Sequence, residues 1–246
     1  MDSALWITWY DLREAQREAY LAWVHETYIP QILERPGMLW AAHYASVDRN
    51  SMSTMRGEKG ALKNTPDTTV PAGSRYILMC GAGDANAFGD PAPGAFDAGL
   101  PARERQMLDA RIGARVNVMI EAARVEGPEA KAYREGVTPA PCIQLGSFNC
   151  APGAEEDMLA WYAQRRMPAM TRLPGCVRTR KLASVAGWAK HAILYEFVSL
   201  EARNQYFVKH EDDPAVVAWG DRVVRTLTHA PGSANLACRL APQVQS

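Results

Sequence analysis

The sequence predicts an α+β protein in which a small strand–helix–strand–strand–helix–strand unit occurs twice, the two copies packing sheet to sheet. Three observations lead there. Short motifs recur 138 residues apart: Leu21-Ala22-Trp23 as Leu159-Ala160-Trp161, Pro30 as Pro168, Pro36-Gly37 as Pro174-Gly175, and Ala45-Ser46-Val47 as Ala183-Ser184-Val185. Self-similarity at one offset is the mark of a duplicated structural unit. In each copy, short aromatic and β-branched runs alternate with a stretch whose apolar residues fall every three or four positions. The 246 residues also suffice for two units of ordinary domain size, 1–138 and 139–246.

The elements follow in order. Leu5-Trp6-Ile7-Thr8-Trp9-Tyr10 reads as the first strand. A helix follows over 13–33, with Leu21, Val24, His25, Tyr28 and Ile32 on one face. Pro36-Gly37 stops it, because proline cannot continue the helix and glycine permits the reversal. Strands at 38–47, 76–81 and 114–122 complete the first copy. In 38–47, Met38, Trp40, Ala42 and Tyr44 point one way and Leu39, Ala41 and His43 the other. The second copy places strands at 143–148, 176–185, 191–198 and 234–240. Its helices cover 154–173 and, broken at Asp213-Pro214, 200–227. The first copy alone carries a polar insertion at 48–74, read as a lid or a disordered loop, and an irregular Gly/Pro/Ala-rich stretch at 81–101. This order is the ferredoxin-like split βαβ unit. Helices cover one face of its sheet, and the other, apolar face must meet a second sheet. Two fused copies provide one, making an intramolecular dimeric α/β barrel.

Composition narrows the partners. Lys+Arg and Asp+Glu balance at 27 each, so no net field gathers nucleic acid or an anionic membrane. No apolar run approaches the roughly 20 residues of a membrane span. The N-terminus shows no signal-peptide pattern, which points to the cytoplasm. The five cysteines (Cys80, Cys142, Cys150, Cys176 and Cys238) form no Cys-x-x-Cys motif and read as buried thiols. Gly-x-Gly-x-x-Gly, P-loop, Gly-x-Ser-x-Gly and His-Glu-x-x-His motifs are all missing, which excludes nucleotide-binding and serine-hydrolase readings.

The string Trp23-Val24-His25-Glu26-Thr27-Tyr28-Ile29-Pro30, then Pro36-Gly37-Met38 and a strand through His43-Tyr44, resembles EthD-like members of the dimeric α/β-barrel superfamily. Trp161, Met167-Pro168, Pro174-Gly175 and the strand 192–197 repeat the likeness. It departs where the family carries a histidine before Ile-Pro: this chain has Tyr28 and Arg166 there. The resemblance implies an enzyme without cofactor or metal that acts on a small aromatic or phenolic metabolite by proton transfer. Lyase, isomerase, dehydratase, cyclase and cofactor-free oxygenase chemistry all fall within it.

On that reading His25 is the base, one helical turn from Tyr28, and Tyr28 and His43 orient the substrate or stabilise charge. Tyr10 and Trp40 line the cavity, and Arg166 is the anionic handle of a second pocket unless Glu196 neutralises it. The bland alternative makes His25 a half-exposed helix residue, Tyr28 a core aromatic and His43 a structural histidine. Two other functions stand beside it. A chlorite-dismutase-like haem protein also joins two such modules, with an axial histidine in the second, which here would be His191 or His210. The third is a non-catalytic binding or assembly module. The fused pair can close its own barrel or associate further as a homodimer. The first copy is the better place for chemistry: His25 matches Ala163, Tyr28 matches Arg166 and His43 matches Lys181.

Overall fold

Why nearly every residue of the first strand is apolar becomes clear from the computed structural model, which describes residues 2–47, 62–132, 139–207 and 214–242. Strand β1 (Ala4–Leu12) is buried on both faces. Leu5, Ile7 and Trp9 point into the interior of a barrel, while Trp6 and Tyr10 point outward beneath helices. The other strands are β2 (Met38–Ser46), β3 (Tyr76–Ala82), β4 (Arg111–Glu126), β5 (Cys142–Cys150), β6 (Cys176–Ala186), β7 (His191–Phe197), β8 (Leu227–His229) and β9 (Asn235–Ala241). Eight of them run in the order β7-β6-β4-β1-β3-β2-β9-β5, and β5 pairs back with β7. All these pairings are antiparallel, so the eight strands close into a barrel and pair one another's edges. Two seams join the halves of the chain, β2 with β9 and β4 with β6. The short β8 extends the sheet beyond β5.

The outer layer is helical. α1 (Arg17–Trp23) passes through a π segment (Val24–Tyr28) into α2 (Ile29–Leu33); α5 (Glu155–Trp161) passes through another (Tyr162–Arg166) into α6 (Met167–Met170). The wider turn shifts which residues face the sheet. Leu159 is 55% exposed, and Trp161 is the residue that is buried there. The stretch 81–101, expected to be irregular, contains α3 (Pro93–Gly99), which opens with proline in its first turn; α4 (Ala102–Leu108) follows. Helices α7 (Leu200–Tyr206) and α8 (Pro214–Arg225) cover the second half. Part of the expected insertion, 48–61, lies outside the described residues. Of the remainder, 63–65 pairs with the second half, Thr65 N donating to the His229 carbonyl and His229 N to that of Lys63, while Gly73 and Ser74 are held by Gly113, Arg115 and Asp11 of the first half.

Trp40 corrects an expectation. A register shift between Met38 and Trp40 turns Met38 toward the helices, while Trp40 enters the barrel. Its ring lies over Gly81, where a Cβ would come within 2.2 Å of it. It therefore fills the interior and lines no pocket under the helices. At the same end, Arg180 (1% exposed) donates to Asp2 at 2.7 Å and Glu121 at 2.5 Å, and Arg124 binds the same two carboxylates. These ion pairs tie the N-terminus to both strands of the β4–β6 seam.

Two stability measurements check this packing. Arg180→Met leaves the half-buried Asp2 and Glu121 carboxylates with Arg124 alone and should cost about 3 kcal/mol in denaturant unfolding. Gly81→Ala forces a carbon against the Trp40 ring and should cost about 1–3 kcal/mol.

Candidate functional site

The alternation of β2 puts His43 on the helix side, together with Tyr10 of β1 and Tyr76 of β3. The three rings form a triangle on adjacent strands, with every pair of centroids 5.7–5.9 Å apart and planes within 26° of parallel. His43 is fully buried and uses both ring nitrogens. Nε2 lies 2.8 Å from the Tyr10 hydroxyl and Nδ1 lies 2.8 Å from His25 Nε2. His25 comes down from the π segment and is half-buried, so the chain of contacts runs from a buried phenol to the surface.

Burial sets the protonation of this chain. It raises the Tyr10 pKa well above the ordinary phenol value and lowers that of His43 well below the usual imidazole value, with His25 and Arg111 adding to the latter effect. His25 is also lowered by burial. All three groups are therefore neutral near pH 7. With Tyr10 donating, the bonds read O–H to Nε2, then Nδ1–H to Nε2, the arrangement of a proton relay. Tyr76 also lines a cleft of about 570 Å³, together with Arg17, Arg75 and Asn235.

Tyr28 belongs to a different network. Its hydroxyl donates to Asp97 Oδ1 at 2.5 Å, and Asp97 Oδ2 is 3.6 Å from Arg111 Nη1. Arg111 Nε donates to the Tyr20 hydroxyl at 2.7 Å. The Arg111 guanidinium also lies 4.9–5.7 Å from the ring centres of Tyr10, Tyr20 and Tyr28. Aromatic faces and one carboxylate thus hold a buried cation. Burial still raises the Asp97 pKa, against the pull of Arg111. The expected trio therefore divides: His25 and His43 join Tyr10, and Tyr28 joins Asp97 and Arg111. Sequence reading missed Asp97, which sits in a helix read as irregular chain, and Arg111, which lies just ahead of the expected strand.

The second half carries different groups at matching places. Phe148 and His191 lie side by side as Tyr10 and Tyr76 do, and His229 adds a third ring on β8. Lys181, at the His43 position, is 8% exposed, and burial lowers its pKa. Its ammonium lies 5.4 Å from the Tyr162 ring centre. Arg166 donates to the Tyr195 hydroxyl at 2.8 Å and stacks on Trp161, Tyr195 and Phe207. The expected partner, Glu196, is on the opposite face of β7, beside Arg178 at 3.7 Å and accepting from Ala140 N at 2.9 Å. Arg203 is fully buried, with two donors on Gln144 Oε1 at 3.0 and 2.7 Å. His229 is 5% exposed, and its Nδ1 is buried without a hydrogen-bond partner. Burial brings its pKa down to about 4. His191 Nε2 faces Glu155 at 3.5 Å, and His210 lies outside the described residues.

No protein-family model and no curated protein matches the chain. Solved structures do. An anthrone oxidase-like protein aligns over 97% of this chain and 91% of its own, at 11% identity and a TM-score of 0.61. A dye-decolorizing protein from V. cholerae aligns over 97% and 94%, at 12% identity and a TM-score of 0.56. A candidate chlorite dismutase aligns over 98% and 96%, at 12% identity and a TM-score of 0.51. The architecture is accordingly that of the dimeric α+β barrels, a closed antiparallel barrel of eight strands with helices outside. The presence of dye-decolorizing and chlorite-dismutase structures among these neighbours overturns the expected cofactor-independent enzyme and favours the haem alternative. Among the described residues, no helix is long and apolar enough to cross a membrane, and no cluster of three or more His, Cys, Asp or Glu is placed to hold a metal ion.

The neutral histidines make stability depend on pH. Because burial holds the His43 pKa well below the ordinary imidazole value, the unfolded chain takes up protons first as pH falls. Stability should decline below about pH 6.5 and keep falling toward the folded-state pKa. Urea midpoints measured at about pH 7.5 and about pH 5 should show the loss, and His43→Gln should flatten it.

Proposed function

We propose that the chain is a haem-binding oxidoreductase that holds the group between helices and sheet in its second half. The observation that carries this reading is His229. A haem iron takes a neutral imidazole nitrogen as its axial ligand. Of the described histidines, His25 and His43 spend nitrogens on each other, and His191 Nε2 faces Glu155. His229 keeps a buried Nδ1 unsatisfied, a state that costs about 1–3 kcal/mol unless something binds it. The alternative expected from sequence named His191 or His210; His229 fits the role better.

The surrounding residues suit the rest of the group. Lys181 has no ion pair among the described residues, and Arg203 meets only amide oxygens. Both offer charge to the carboxylates that haem carries. Phe148, Tyr162 and Phe207 give the site an apolar wall that excludes water. When bound, haem supplies one- and two-electron oxidation at its iron. His191, against Glu155, can take up or release a proton at the edge of the layer.

The first half has its own role in this reading. Tyr10, His43 and His25 pass protons between the buried phenol and the surface, and Asp97 fixes Tyr28 beside them. The cleft beside Tyr76 admits a small-molecule substrate. We also read the two halves as tandem ferredoxin-like copies of EthD-like ancestry. The 138-residue offset, shared by their motifs and by both π segments, supports this.

Titrating the purified protein with hemin should produce a Soret band that saturates at one equivalent. His229→Ala should abolish it, and His191→Ala should leave it in place. No Soret band with the unmodified chain would overturn the reading.

A further inference from the structure

Two thiols of the second half face each other across paired strands. Cys142 of β5 is directly opposite Cys238 of β9. Arg239 N donates to the Pro141 carbonyl at 2.9 Å, which makes 141 and 239 a hydrogen-bonded pair. Residues 142 and 238 are therefore the adjoining pair without hydrogen bonds. In such a pair the Cα atoms lie about 4.5 Å apart and the side chains leave the same face. That separation falls within the roughly 4.4–6.8 Å that a disulfide bridges.

Both thiols are free; Cys142 is buried and Cys238 half-buried, within reach of a small oxidant. The remaining cysteines differ. Cys80 and Cys176 are buried with their thiols pushed up to about 12, and Cys150 contacts Thr226 at 3.5 Å.

We propose that Cys142 and Cys238 form a peroxide-responsive dithiol that closes reversibly into a cross-strand disulfide. Cys238 initiates. The Cys142 thiol hydrogen-bonds to it and holds its pKa down to about 7, while Cys142 itself is pushed up and keeps its proton. Thiolate at neutral pH is the form that attacks. The Cys238 sulfur attacks one peroxide oxygen: an S–O bond forms, the O–O bond breaks and hydroxide leaves, neutralised by the proton that the Cys238 thiol had released on ionising. Sulfur has then lost two electrons to the peroxide as a sulfenic acid. The Cys142 sulfur attacks it in turn; an S–S bond forms, the S–O bond breaks, and the departing hydroxide takes the Cys142 proton. Two thiols and one hydrogen peroxide become one disulfide and two waters. The bond would join the C-terminal strand of the barrel to β5, next to the β2–β9 seam.

The inference is independent of haem, and its test uses the full chain without it. After treatment with hydrogen peroxide, intact mass should fall by about 2 Da and return with dithiothreitol. Non-reducing peptide maps should show Cys142 joined to Cys238. In Cys142→Ser the Cys238 sulfenic acid should persist and be trapped by dimedone; in Cys238→Ser neither adduct nor disulfide should form. Far-UV circular dichroism confirms that both variants fold. A disulfide through Cys150, or oxidation of Cys238 to sulfinic acid with Cys142 present and unlinked, would overturn the proposal.

Discussion

The barrel strands bury their inner faces against one another, and neither half of the chain can do this alone. Four strands with one apolar face toward water would leave a row of unpaired backbone groups at each edge and a large exposed surface. The two seams remove both problems together. They also explain why strands such as β1 read as nearly continuous apolar runs and not as alternating ones. The ion pairs of Asp2, Glu121, Arg124 and Arg180 belong to the same constraint, because they join β4 to β6 at a seam.

Closure leaves the chemistry outside the barrel. The interior is filled by Leu5, Ile7, Trp9, Trp40, Met79 and their neighbours. Each half must then place its polar groups between helices and sheet, where burial decides their charge. In the first half, burial keeps Tyr10, His43 and His25 neutral and links them by hydrogen bonds. In the second half the matching positions hold Phe148, Lys181 and Ala163, and the added β8 brings His229 beside Phe148. One scaffold thus carries a neutral relay on one side and a cationic, histidine-bearing layer on the other.

Some of the site was legible in the sequence because strand alternation is strict. The pairing of His25 with His43 follows from a helix face meeting a strand face, and both residues were named as candidates. Tyr28 was named too, but its partner Asp97 was not, since the Gly/Pro-rich context of α3 hides a short helix. Trp40 keeps the face of Ala42 and Tyr44, which meets the barrel interior and not a pocket, while the one-residue register shift moves Met38 to the other face. Arg166 was read as meeting an anionic group or Glu196, but residues 195 and 196 lie on opposite faces of β7, so it meets Tyr195. His229 carried no local signal. It stands on a three-residue strand, and only its position beside Phe148 makes it notable.

By itself the sequence carried the mixed α/β class, the main strands of the barrel and the helix that follows each of two of them. Those properties rest on periodicity and on local stop signals, which act over a few residues. Only the tertiary structure decided which groups share a buried space: Asp97 with Tyr28, His229 with Phe148, Cys142 with Cys238. Such meetings depend on strand register and on barrel closure between distant segments, and local sequence pattern constrains neither. Desolvation, which sets the charge of Tyr10, His43 and His229, likewise arises only when the layers close over them.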